Sequence, residues 1–177
     1  VVNGDIAVEQ IKITGDTKKV APGKKIKLTA MVYPENATNQ NVEWKVSNSK
    51  YASVNSKGVV TTKKAGKGKK VTVTAYSQED NSIVATYKIS IMKNAVKKIK
   101  LSAKTTTLKK GKSVTIKAKF TPAKGISKEL TWSTSNKKVA TVNAKGKVTA
   151  KKKGTVKITA KAKDGSGKKA TIKIKVK

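Results

Sequence analysis

The sequence is written twice. "VEWKVSNSKYASVNSKGVVT" from Val42 recurs as "LTWSTSNKKVATVNAKGKVT" from Leu130. Trp44 pairs with Trp132, Asn48 with Asn136, Val54 with Val142, and Gly58 with Gly146. Upstream, Gly23 pairs with Gly111 and Pro34 with Pro122. Downstream, "VTVTA" at Val71 pairs with "VKITA" at Val156 after a short deletion. A period of roughly 85–88 residues is one small domain long, so each copy must build its own core. The seam falls near Met92–Ala95 and predicts domains at 1–93 and 94–177. The leading "VVNGD" has no counterpart in the second copy. Residues 1–7 therefore read as the tail of a preceding domain.

Within each copy the rhythm is two. Val156, Ile158, Ala160 and Ala162 alternate with Lys157, Thr159 and Lys161. Ile172, Ile174 and Val176 alternate with Lys173, Lys175 and Lys177. This period puts apolar residues on one face of a strand and lysines on the other. Val, Ile and Thr dominate these runs, and they suit strands. Turns separate them: "NSKG" (Asn55–Gly58) and "NAKG" (Asn143–Gly146) carry Asn first and Gly fourth. "DGSG" at Asp164 reads as a hairpin between two strong strands. Each copy should hold about seven short strands in an antiparallel all-β sandwich around one apolar core.

Missing residue types remove whole chemistries. The chain has no His, no Cys and, among its 42 basic residues, no Arg. Thiol nucleophiles, Ser-His-Asp triads, zinc fingers and disulfides are thereby excluded. No run approaches the roughly 18 apolar residues of a membrane span. With Val1 first and no signal-type segment, the chain reads as a mature or excised piece.

The pattern G…L/I-x-A…P…W-x-x-S-N…A-x-V…G-x-V-T-A…G-x-x-x-I-x-A resembles the bacterial immunoglobulin-like domain, group 2. The second copy carries it at Gly111, Ile116, Ala118, Pro122, Trp132, Ser135, Asn136, Ala140, Val142, Gly146, Val148, Gly154, Ile158 and Ala160. The first carries it at Gly23, Leu28, Pro34, Trp44, Ser47, Asn48, Val54, Gly58 and Val60, and departs at Tyr51-Ala52-Ser53 and in the longer "AGKGKK" loop. The resemblance implies two tandem immunoglobulin-like β-sandwiches of the kind found on bacterial surface proteins and wall-associated enzymes. It implies no single activity, because one fold hosts many functions.

Trp44 and Trp132 could stack on sugars, but their recurrence assigns them, with Gly58 and Gly146, to the core. Tyr51 and Tyr87 align with Val139 and Ile172 and should pack. Tyr76 aligns with Lys161 and should be the exposed aromatic. Glu79-Asp80-Asn81 lies in a loop as a solvated turn or a calcium site, and the second copy offers one acid there. No acid pair recurs, which argues against a paired-carboxylate hydrolase. No catalytic residue, metal ligand or cofactor is assigned.

Lysine is the strongest feature. From Lys93 onward there are 27 lysines and two acids, Glu129 and Asp164; the earlier part has 15 lysines and seven acids. Same-face lysines on a strand stand about 6.6–7 Å apart. That is inside the ~8 Å screening length at physiological salt, so their fields overlap. Solubility alone needs only about 2–8 charges in a small domain. Lys117, Lys119, Lys157, Lys161, Lys163, Lys173 and Lys175 are the predicted polyanion-binding set. Without arginine, and with few aromatics, sequence-specific nucleic-acid reading is disfavoured. An anionic cell-wall polymer such as teichoic acid, or an acidic glycan, is the expected partner. The expected protein is a non-enzymatic, extracellular module of a bacterial surface or secreted protein, monomeric within a larger multidomain chain. A passive stalk in an adhesin and a carbohydrate-binding accessory of a glycan-degrading enzyme are the alternatives.

Overall fold

The structure, a computed structural model, describes residues 4–177. The chain divides into two compact units, 1–94 and 95–177. Of the segment read as a preceding tail, Val1, Val2 and Asn3 lie outside the described residues. Within the described part, Ile6 exchanges hydrogen bonds with Thr38 of the first unit: its N–H donates to Oγ1 at 2.8 Å and its carbonyl accepts the Thr38 N–H at 2.9 Å.

The first unit contains β1 (Gln10–Gly15), β2 (Lys19–Val20), β3 (Lys25–Tyr33), β4 (Val42–Val46), β5 (Ala52–Val54), β6 (Val59–Thr62), β7 (Lys70–Ser77) and β8 (Val84–Ile91). One sheet has the order β1-β3-β6-β5 and the other β2-β8-β7-β4. The second unit contains β9 (Lys98–Ser102), β10 (Thr107–Leu108), β11 (Ser113–Thr115), β12 (Lys117–Thr121), β13 (Leu130–Thr134), β14 (Ala140–Val142), β15 (Lys147–Ala150), β16 (Gly154–Ala162) and β17 (Lys169–Val176). Its sheets run β10-β17-β16-β13, β11-β15-β14 and β12-β9. Two features exceed the expected seven strands. The short β2 and β10 each pair parallel to the last strand of their unit. The strand corresponding to β3 is also divided at Ile116 into β11 and β12.

That division has a cause visible in both units. Along β3 the partner changes from β6 to β1 between Lys27 and Leu28. At this point the Leu28 N–H makes the last rung toward β6, donating to the Gly58 carbonyl at 2.8 Å, while Gly15 of β1 stands opposite on the other edge. In the second unit the Ile116 N–H donates to the Gly146 carbonyl at 2.9 Å. One strand thus serves both edges of its layer.

The period-two runs bury as read. Val20, Leu28, Val60, Val73 and Ile89 have no exposed surface in the first core. Val148, Ile158 and Ile174 have none in the second. Each such side chain contributes about 1.5–3 kcal/mol relative to exposure. Tyr87 joins the first core and donates its hydroxyl to the Thr17 carbonyl at 3.0 Å. Ile172 fills the corresponding place without a polar tip.

Candidate functional site

The predicted lysines separate into groups. On β16, Lys157 and Lys161 point away from buried Val156, Ile158 and Ala160. On β17, Lys173 and Lys175 point away from buried Ile174 and Val176. The register sets Lys157 directly opposite Lys173, and Lys161 opposite Lys169. Opposed side chains in an antiparallel pair start about 4.5–5.5 Å apart at Cβ. Thr155 stands opposite Lys175 and Thr159 opposite Thr171, so hydroxyls lie between the ammonium groups. Thr131 and Ser133 of β13 extend the same face. Its exposed cations include Lys157, Lys161, Lys169, Lys173 and Lys175.

Lys117 and Lys119 do not join them. They lie on β12, where Lys119 faces Lys100 and Lys117 faces Ser102 of β9. This is the outer side of another sheet. Lys163 is half-buried beyond the end of β16, and its N–H donates to the Glu129 carbonyl at 3.0 Å. The seven predicted lysines are therefore three groups, and Lys169 belongs with the first although it was not singled out.

The same face of the first unit is built differently. There Thr72 faces Lys88, Tyr76 faces Val84, and Lys70 faces Ser90. Tyr76 is half-exposed on this outer face, as its alignment with a lysine indicated, and the Lys45 ammonium sits 5.2 Å from its ring centroid. Tyr51 packs against the core from a half-buried position.

Trp44 and Trp132 pack against their cores but are half-buried, not enclosed. A tight turn lies against each ring. Asn143 Oδ1 accepts the N–H groups of Lys145 and Lys147, both at 2.9 Å, and Gly146 adopts φ +80°. A Cβ on Gly146 would lie 2.8 Å from Cζ2 of Trp132; on Gly58 it would lie 2.9 Å from Cζ2 of Trp44. The turn glycine leaves room for the indole.

The loop acids have a role that sequence reading missed. Glu79 Oε2 accepts the Val8 N–H at 2.7 Å, and Asp164 Oδ2 accepts the Val96 N–H at 2.8 Å. Both carboxylates tie the last hairpin to the entry of the first strand. The signal was available: an acid recurs in that loop in both copies of a lysine-rich chain. Asp80 Oδ1 is occupied by the hydroxyl and N–H of Ser82, which hold its carboxyl below the ordinary carboxylate range. Among the described residues, no group of three or more His, Cys, Asp or Glu is placed to hold a metal ion. No helix among them is long and apolar enough to cross a membrane.

The profile of the bacterial Ig-like domain (group 2) matches residues 7–86 and again residues 95–173. The chain belongs to this family. Its two bacterial Ig-like domains are also similar to solved structures. One is a C-terminal 282-residue fragment of intimin in complex with the intimin-binding domain of the translocated intimin receptor, at 19% identity and TM-score 0.36 over 97% of this chain and 64% of that one. Another is FdeC, an Escherichia coli adhesin, at 14% identity and TM-score 0.42, over 97% of this chain and 66% of that one. A third is the S-layer protein SbsC, residues 31–844, at 16% identity and TM-score 0.39, over 98% of this chain and 28% of that one. The chain spans less than two thirds of each of these proteins. No curated protein matches it.

Proposed function

We propose that the two bacterial Ig-like domains, 1–93 and 94–177, form a non-enzymatic module of a bacterial surface or secreted protein that attaches its host to the cell envelope. Attachment is electrostatic and belongs to the second domain. The observation that carries this reading is the opposed pairs Lys157/Lys173 and Lys161/Lys169 on one exposed face. The first domain has Thr72/Lys88 and Tyr76/Val84 at the corresponding places.

Lysine suits this task. Its ammonium is a compact point charge that contacts phosphate without fixed geometry. A flexible anionic wall polymer can follow such a face, and the interleaved threonines supply further donors. The test is the salt dependence of binding to soluble teichoic acid. Each neutralised phosphate of a single-stranded polyanion lowers the log–log slope by about 0.7. Four lysine contacts thus predict a slope of roughly −3. A slope near zero would remove the electrostatic reading and favour a passive stalk.

A further inference from the structure

We infer a second binding site in the second domain, a groove that takes an acidic pyranose of a glycan chain. The groove is a depression of about 470 Å³, open to solvent, beside β12 and β13. Phe120, Leu130 and Trp132 line it together with Lys128, Lys145, Lys163 and Glu129. The lining therefore joins two aromatic rings to a surplus of positive charge.

Sugar rings present apolar C–H faces that cover aromatic rings, and a carboxylate on the ring needs a charged donor. Both requirements meet here at the scale of one or two rings. The backbone that carries two of these lysines is fixed. Lys145 sits inside the Asn143–Gly146 turn, pinned to Asn143 Oδ1 at 2.9 Å. Lys163 is tied by its N–H to the Glu129 carbonyl at 3.0 Å. Lys128 is exposed just before β13. Three lysines lining one groove favour an anionic ligand over a neutral one of the same shape.

Comparison of the copies shows that the second domain alone has this combination. Val32 stands where Phe120 is, Gln40 where Lys128 is, and Gln78 where Lys163 is. Phe120 is also the chain's one phenylalanine. The groove is separate from the outer lysine face, which offers charge without an aromatic lining.

The test is a nitrogen–proton NMR titration of the full chain with hyaluronan tetrasaccharide, and with chitotetraose as the neutral counterpart. The expected result is saturable movement of the Trp132 indole and of the Lys145–Gly146 turn with the acidic sugar. The neutral sugar should bind roughly tenfold more weakly, the size of one charged contact. The triple variant Lys128→Gln, Lys145→Gln, Lys163→Gln should lose the acidic preference, and Lys157→Gln with Lys173→Gln should keep it. Equal binding of both sugars, or shifts confined to β16 and β17, would overturn the inference.

Discussion

Asp164 has no exposed surface, and its Oδ2 accepts the Val96 N–H at 2.8 Å across 68 residues of sequence. Its other oxygen accepts the Ser166 N–H at 2.8 Å, which closes the hairpin loop. One carboxylate thus fixes the loop and fastens it to the strand entry. Glu79 repeats the bond to Val8 from an exposed position.

Removing the Asp164 carboxylate leaves the buried Val96 N–H and the half-buried Ser166 N–H without their acceptor. Asp164→Ala should destabilise the second domain by about 1–3 kcal/mol. For a domain of this size each kcal/mol lowers the melting temperature by roughly 4–8 °C. Asp164→Asn keeps an acceptor and should lose less. Glu79→Ala, at an exposed site, should lose least. Thermal melts of the three variants check the order.

Gly146→Ala should destabilise through two effects. The left-handed backbone alone costs about 1–2 kcal/mol with a side chain. The new methyl would also meet the Trp132 ring at 2.8 Å. The indole must shift, so the emission spectrum should change along with the melting temperature. Gly58→Ala should do the same to Trp44. An unchanged spectrum in both variants would mean that the glycine does not make room for the ring.

Lysine opposite lysine carries a stability cost. Directly opposed like charges are unfavourable, and a cross-strand pair is worth roughly 0.2–1 kcal/mol. Lys157→Thr imports the residue that the first domain has at that place, Thr72. It should stabilise by about that amount at low salt and weaken polyanion binding at the same time. The gain should shrink as salt is added, because screening removes the repulsion it relieves. Calorimetry at two salt concentrations measures it.

Strand content was legible because alternation is local. Val156-Lys157-Ile158 states its own faces, and the turn glycines state their own punctuation. What sequence reading missed depends on distant partners. Lys117 resembles Lys157 in pattern, yet lies on another sheet, because strand order decides which rows of lysine meet. The bond from Asp164 to Val96 is set by where the last hairpin folds back. Recurrence at the same repeat position marks Trp132 as a packing residue, but not how much of its ring stays exposed. The two-residue β10 carries too little alternation to announce its parallel pairing with β17.

The most direct measurement is retention of the full chain on purified Gram-positive walls, with and without their teichoic acid, at low and physiological salt. Wild type is compared with Lys157→Glu, Lys161→Glu, Lys173→Glu, Lys175→Glu combined, and with Lys117→Glu, Lys119→Glu as a charge-reversal control on the other sheet. Each lysine near an anionic surface is worth about 1 kcal/mol, so the fourfold variant should lose well over tenfold in retention. The control should lose far less, and removing teichoic acid should abolish the difference. Equal retention of wild type and the fourfold variant would contradict attachment through the β16–β17 face.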